Sequence, residues 1–166
     1  SGNIGDVAKP YVVKTVRGVK AAVLGLTTAA TPCWDEFGTM AHLRFESAAA
    51  AARRWVKRIR ETENPDFLVV SYHGGFAADP DGRWRFGGCA GENEAEALLG
   101  IPGIDLIITG HQHLCLLGEK NGIPYVQPGS HGRWFAELEA VRENGGWTVH
   151  GRLVPVAAEE PLPAEA

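Results

Sequence analysis

The chain has 166 residues, of which 45% are hydrophobic, so it is long enough to bury a core of its own. Its formal net charge is −4, and its Lys and Arg residues are dispersed apart from a short run in one predicted helix. This pattern argues against a protein that grips nucleic acid by its phosphates, because such proteins present a basic surface. We therefore expect no nucleic-acid duplex among its partners.

The sequence has no apolar run long enough to cross a bilayer, so we expect no membrane span. It opens with Ser1-Gly2-Asn3, without the basic and apolar stretches of a signal peptide. The cysteines have neither the number of a disulfide framework nor the CxxC spacing of a zinc ribbon: Cys33, Cys89 and Cys115. The compartment stays open between the cytoplasm and the periplasm or exterior.

The first half of the chain predicts a hairpin and a helix. Residues 11–16 and 19–27 are rich in β-formers and are separated by Arg17-Gly18, which predicts two antiparallel strands. The second of these strands is apolar almost throughout, as in strands that are covered on both faces. Residues 46–63 carry apolar side chains at helical spacing, with Arg and Lys on the other side, and predict an amphipathic helix.

The second half predicts short apolar elements around a long loop. Residues 74–91 are rich in Gly, Asp and Pro and have no periodicity, which is typical of a functional loop. The remaining predicted elements are strands at 67–72, 104–109 and 123–127, a helix at 92–99, and a hairpin at 135–141 and 147–156. Residues 157–166 are predicted to be a linker or a disordered tail, which leaves residues 1–156 as the domain.

These elements predict the α/β class, with a mixed β-sheet and flanking helices. Crossovers through helices give parallel strands, whereas hairpins give antiparallel neighbours. Two helices are few for a sheet of this size, so one face is expected to need a partner that the chain does not contain. Because an exposed apolar face invites self-association, we also predict a homodimer or a swapped pair.

Two apolar strands of the predicted sheet run into histidines. The strand at 67–72 is followed by His73-Gly74-Gly75, and the strand at 104–109 by Gly110-His111-Gln112-His113. Since ligands collect beyond the carboxyl ends of parallel strands, we expect all three imidazoles there. In an extended segment His111 and His113 would lie on one side. Gly74, Gly75 and Gly110 would let the backbone adopt conformations that other residues resist and would let it pass close to a ligand.

Imidazole is a borderline ligand that suits Zn, Mn, Fe, Co or Ni, so His73, His111 and His113 are predicted metal ligands. The spacing leaves two arrangements open. The three imidazoles could form one mononuclear zinc site, or they could belong to an incomplete two-metal site. Asn93, Gln112 and His131 are candidates for the wall of a substrate pocket, and no residue of the chain is assigned as catalytic.

The same residues resemble the motifs of the calcineurin-like metallophosphoesterases, in the branch of the 5′-nucleotidases and 2′,3′-cyclic-nucleotide 2′-phosphodiesterases. The resemblance is carried by Gly25-Leu26-Thr27-Thr28, His73-Gly74-Gly75, Gly110-His111-Gln112-His113 and Gln127-Pro128-Gly129. These segments come in the family's order and, with their flanks, extend over roughly residues 1–155, which makes the resemblance specific.

The resemblance implies that His73 and His111 bind one metal ion and His113 binds the other. It implies a four-layer α/β/β/α sandwich of which this chain forms the C-terminal half of the catalytic domain. The family's Asp-x-His motif, bridging Asp and Asn-His pair would lie upstream of Ser1. We therefore expect a piece of a longer enzyme that is inactive alone.

The expected enzyme is a dinuclear metal-dependent hydrolase of phosphate esters. Its partners would be a nucleotide or cyclic-nucleotide substrate and the missing N-terminal half of the domain. Its cofactors would be two divalent metal ions, which the chain alone need not retain. The alternative is a non-catalytic or single-zinc-binding domain that assembles with a separate N-terminal half.

Overall fold

The computed structural model describes residues 8–78, 85, 88–143 and 145–156. The strands are β1 (Tyr11–Val16), β2 (Val19–Thr27), β3 (Phe67–His73), β4 (Leu106–Thr109), β5 (Cys115–Lys120), β6 (Ile123–Pro128), β7 (Trp134–Glu143) and β8 (Gly146–Pro155). The helices are α1 (Ala48–Thr62), α2 (Ala95–Leu98) and a short 3-10 helix (Thr31–Trp34). The predicted tail and the middle of the predicted loop at 74–91 lie outside the described residues.

The strands form one mixed sheet and one separate hairpin. The six-stranded sheet has the order β1-β2-β3-β4-β6-β5, and β7 pairs with β8 alone. Strands β2, β3, β4 and β6 are parallel, whereas β1 and β5 are antiparallel edges. The predicted α/β class with a mixed sheet is confirmed, and four carboxyl ends meet at one edge of this sheet.

The β1–β2 hairpin has the predicted bounds, and its turn explains why. Val16 pairs with Val19, and both residues between them have positive φ: 51° at Arg17 and 83° at Gly18. Two-residue turns with this twist match the right-handed twist of the strands that they join. The local sequence alone therefore sets the register at this edge of the sheet.

Strand β5 is absent from the sequence prediction. It pairs antiparallel with β6 across Asn121-Gly122, whose φ values are 56° and 75°. An Asn-Gly dipeptide is a strong hairpin signal. The strand escapes prediction because Gly118 and the charged Glu119-Lys120 break its apolar pattern.

Helix α1 packs on one face of the sheet as its pattern predicts. Ser47 caps it, because its hydroxyl accepts a hydrogen bond from the Ala50 N–H at 3.2 Å. The Glu94 carboxylate accepts a second from the Ala48 N–H at 2.6 Å. The buried core between helices and sheet includes Ala22, Leu24, Ala52, Val56, Ile59, Leu68, Val70, Leu98 and Ile107. Among the described helices, none is long and apolar enough to span a membrane.

Helix α2 is shorter than the predicted helix at 92–99. It spans four residues, and Glu94 stands at its N-cap. The Glu92 carboxylate instead accepts a hydrogen bond from the Cys89 N–H at 2.8 Å, and the Asn93 side chain accepts one from the Gly75 N–H at 3.1 Å. Such side-chain bonds to nearby backbone compete with helix formation. The prediction of a helix from residue 92 is therefore wrong.

The face of the sheet opposite α1 is covered unevenly. Over β4 and β6 the β7–β8 hairpin lies against it, and Leu106 and Val126 are buried. Over β1, β2 and β3 the same face shows Val12 at 48% exposure, and Gly25 and Ser71 are also exposed. The small number of predicted helices led us to expect one face in need of a partner, and this face matches that description.

A polar network fixes the end of α1 to the sheet. The Arg60 guanidinium donates to the carbonyls of Gly103 at 2.9 Å and Pro65 at 2.7 Å, and it pairs with the Asp105 carboxylate. The same carboxylate accepts the Leu68 N–H at 2.6 Å. Because the Arg60 and Asp105 side chains are only 28% and 23% exposed, water replaces these bonds poorly.

We expect Arg60→Ala to lower the free energy of unfolding by about 2 kcal/mol, since it leaves Asp105 without its charged partner. Urea denaturation followed by circular dichroism measures this loss. Arg53→Ala, at an exposed position of the same helix, is the matched control and should change stability by less than about 0.5 kcal/mol. Equal losses in the two variants would contradict the role of the network.

Candidate metal centre

The predicted histidines meet at the carboxyl edge of the parallel strands. His73 is the last residue of β3, and it pairs in register with Thr27 at the end of β2. His111 and His113 follow the end of β4, and His131 follows the end of β6. The topology therefore brings together residues that are far apart in sequence, as expected for a ligand site in an α/β sheet.

The two histidines of the His-x-His segment do not lie on an extended strand. His111 and His113 have left-handed φ values of 71° and 60°, and no described strand includes them. The prediction that both imidazoles share one side of an extended segment is therefore wrong. Non-glycine residues adopt this conformation rarely, and usually where surrounding contacts impose it.

The imidazoles instead form two pairs. The rings of His73 and His111 are 5.4 Å apart between centroids, and the rings of His113 and His131 are 5.5 Å apart. His131 also has a left-handed φ, of 58°, and its Nδ1 lies 2.8 Å from the Ser130 hydroxyl. His131 thus lies beside His113, although sequence reasoning placed it only in the pocket wall.

Two further side chains flank the first pair. His111 Nε2 lies 2.9 Å from Glu92 Oε1, and this contact lowers the pKa of the Glu92 carboxyl below its usual value. On another side, the half-exposed Trp34 ring lies 5.1 Å from that of His111. Glu92 is the first residue of the predicted helix at 92–99. Because it lies 19 residues before His111 in the sequence, no local pattern predicts their contact.

Gln112 points away from the histidines and binds backbone. Its amide oxygen accepts the Phe76 N–H at 2.8 Å, and its amide nitrogen donates to the Phe76 carbonyl at 2.8 Å. Both ends of the amide are thus used to hold the loop after β3 against the loop after β4. Asn93 is used similarly toward Gly75. Their predicted place in a substrate pocket stays a prediction.

Of the glycines beside the histidines, Gly74 and Gly75 serve close approach, and Gly110 has only an ordinary contact. Gly74, Gly75 and Gly110 are not among the described glycines with positive φ. A Cβ at Gly74 would lie 2.2 Å from the Tyr72 ring, and one at Gly75 would lie 1.9 Å from Gln112 Oε1. The expectation that these glycines supply unusual conformations is wrong, because the unusual conformations belong to the histidines.

A buried amide network that the sequence analysis did not predict holds the two ends of the segment 110–113. Gln127 is fully buried, and its amide donates to the Thr109 hydroxyl at 3.1 Å and accepts the Leu114 N–H at 3.0 Å. The Thr109 hydroxyl in turn donates to the Val126 carbonyl at 3.1 Å. A glutamine at the end of an apolar strand was the available signal, because a buried amide must find partners.

The side chains at this site are of the types that bind transition metals, but too few of the described ones lie together to hold an ion. Imidazole and carboxylate are ordinary ligands of zinc and its neighbours. Within the part of the chain that the structure describes, however, no three His, Cys, Asp or Glu side chains are grouped closely enough to hold a metal ion. The described histidines do not by themselves make a complete metal site.

Similar proteins are known for most of the chain. No family model matches the chain. It is 27% identical over 165 residues to the 2′,3′-cyclic-nucleotide 2′-phosphodiesterase/3′-nucleotidase of Salmonella typhimurium, covering 84% of this chain and 24% of that protein. It is 29% identical over 145 residues to protein UshA of Yersinia enterocolitica, covering 85% of this chain and 24% of that protein. Both similarities extend over more than four fifths of this chain.

A solved structure has the same fold as this chain. A Staphylococcus aureus protein assigned as a 5′-nucleotidase superposes with a TM-score of 0.80 at 27% identity, covering 94% of this chain and 31% of that one. The resemblance drawn from the motifs is thereby confirmed. The chain spans about a quarter of the length of the two curated relatives, so it corresponds to one part of such proteins.

The close approach at Gly75 provides a test of how the loops are held. Gly75→Ala should lower the free energy of unfolding by about 2 kcal/mol, because the new methyl group displaces the Gln112 amide from Phe76. Gly110→Ala is the matched control, since its Cβ would meet only His73 Nδ1 at 3.7 Å, an ordinary contact. Thermal unfolding of both variants measures the difference, and a control as unstable as Gly75→Ala would refute the explanation.

Proposed function

We propose that the chain forms one part of a dinuclear metal-dependent phosphoesterase that hydrolyses phosphate esters of nucleotides or cyclic nucleotides. The observation that carries this proposal is the division of four imidazoles into two pairs at the carboxyl edge of the parallel strands. Two adjacent partial ligand sets are what a two-metal site requires. The names of the relatives supply the substrate class.

The pairs divide the predicted ligands as the family resemblance implies. His73 and His111 would hold one divalent ion, and His113 would hold the other, with His131 beside it. Such ions, when bound, would activate water for attack on phosphorus and would neutralise charge on the phosphate oxygens. Zn, Mn, Fe, Co and Ni all suit imidazole ligands. The Glu92 carboxylate orients the His111 ring, and such second contacts strengthen metal ligands.

Each pair needs further ligands from outside the described residues. The exposed face over β1, β2 and β3 offers a place for another part of the longer protein to pack. We propose that the N-terminal half of the domain covers this face and completes both ligand sets. The competing explanation is a single zinc ion held by His73, His111 and His113, and the separation of the rings into two pairs disfavours it.

The remaining pocket candidates have different surroundings. His131 is exposed and contacts Ser130 and His113, so it is accessible to a substrate phosphate. Gln112 and Asn93 are bound to backbone and would act by holding the two loops in place. We propose His131 as the pocket residue of these three, and the other two as supports of the pocket.

Metal titration tests the ligand assignment. Calorimetry with Zn²⁺ or Mn²⁺, on the chain combined with the N-terminal half of the domain, should show that His111→Ala and His73→Ala weaken one binding event at least tenfold, in line with the loss of a ligand. His113→Ala should leave that event in place. His42→Ala, at an exposed position away from the cluster, is the control. If all three site variants weakened one and the same event, the single-zinc explanation would replace the two-metal one.

Complementation tests the missing half. The chain alone should not hydrolyse bis-p-nitrophenyl phosphate, whereas mixing it with the N-terminal half of the domain should restore metal-dependent turnover. The same mixture made with His111→Ala should stay inactive. Robust turnover by the chain alone would contradict the proposal.

A dimeric mass by light scattering would support the predicted homodimer, and a monomer at high concentration would count against it.

A further inference from the structure

A partly exposed tryptophan stands beside one of the proposed metal ligands. The Trp34 ring lies 5.1 Å from the His111 ring between centroids, with 47° between the ring planes. Trp34 is nevertheless 48% exposed, so much of the indole stays open to solvent next to the first imidazole pair. Single exposed apolar residues are common, but aromatic rings beside a few polar groups are typical of the walls of ligand sites.

The backbone that leads into Trp34 is fixed by two threonines. Trp34 ends the 3-10 helix Thr31–Trp34, and the buried Thr28 stands just before this helix. The Thr28 hydroxyl donates to the Gly91 carbonyl at 3.2 Å, and the Thr31 hydroxyl donates to the Thr28 carbonyl at 2.8 Å. The turn is therefore tied to itself and to the loop that approaches the histidines from the other side.

The backbone that follows Trp34 is fixed by one carboxylate. Asp35 accepts hydrogen bonds from the Thr39 N–H at 3.0 Å, the Thr39 hydroxyl at 2.8 Å and the Met40 N–H at 2.6 Å. These bonds close residues 35–40 into a turn, within which Phe37 is 87% exposed. An indole on a backbone fixed at both ends has only two side-chain torsions left to order, so it can bind a flat ring at little cost in conformational entropy.

We propose that Trp34 is a stacking platform for the nucleobase of the substrate. Because its ring contacts His111, a base on the indole and a phosphate at the histidines are close enough to belong to one nucleotide. Every base has a flat π-face, so stacking accepts purines and pyrimidines alike. Purines should bind more tightly, since their two rings cover more of the indole. The inference rests on the proposed function and deepens it by assigning recognition of the base to a residue of this chain.

The competing role for Trp34 is purely positional. In that role the indole packs against His111 and only keeps the imidazole in place. The two roles differ in how they depend on the substrate. A platform acts only on substrates that carry a base, whereas a support of the imidazole acts on every phosphate ester alike.

Turnover by the chain combined with the N-terminal half of the domain separates the two roles. Trp34→Ala should lower kcat/KM about tenfold for a nucleotide, and by less than about twofold for the sugar phosphate that lacks only the base. Trp34→Phe should retain most of the activity toward the nucleotide. Phe37→Ala removes an exposed ring from the neighbouring turn and is the matched control, which should change neither value. Equal losses for the two substrates, or equal losses in Trp34→Ala and Phe37→Ala, would overturn the proposal.

Binding of adenosine to the full chain tests the platform without turnover. In heteronuclear NMR spectra, the Trp34 indole N–H signal, assigned by its loss in Trp34→Phe, should shift with millimolar adenosine and not with ribose. The Trp147 signal is the internal control, because that indole donates to the Asp66 carbonyl at the opposite edge of the sheet.

The two measurements distinguish this inference from the proposed function. An unchanged Trp34 signal would overturn the platform even if the combined halves hydrolysed nucleotides. A shifted signal together with combined halves that hydrolyse no phosphate ester would support base binding at Trp34 and contradict the proposed function.

Discussion

The buried amide of Gln127 is the contact on which the geometry of the site depends. It donates a hydrogen bond to the Thr109 hydroxyl at the end of β4 and accepts one from the N–H of Leu114, just past the His-x-His segment. The four intervening residues must therefore turn within a fixed span. Because Gln127 is fully buried, no water can take over its bonds, and their loss would cost on the order of 1–3 kcal/mol each.

This constraint explains the backbone of the histidines. Between its two fixed ends the segment is also held by Gln112, whose amide binds both backbone groups of Phe76. With three anchors in six residues, His111 and His113 are forced into left-handed conformations that cost on the order of 1 kcal/mol each. The result is that successive imidazoles diverge, one toward His73 and the other toward His131.

The sequence predicts the scaffold better than the site, for physical reasons. The β1–β2 hairpin and α1 follow from local periodicity and turn chemistry, and both agree with the structure to within two residues. The positions of His73, His111 and His113 at strand ends follow from the parallel sheet. The pairing of the rings does not, because it depends on the bonds of Gln127 and Gln112, which join segments far apart in sequence.

The carboxylate beside His111 sets which ring nitrogen can face a metal ion. Glu92 has a lowered pKa and is therefore ionised at neutral pH, so it can only accept a hydrogen bond. His111 Nε2 must then be the donor in this contact, which leaves the lone pair of a neutral ring on Nδ1. The carboxylate is itself held by the Cys89 N–H, so the tautomer is fixed by the fold before any metal binds. As a proposed metal ligand, His111 would therefore lose little conformational freedom on binding, because the Glu92 contact already orients its ring.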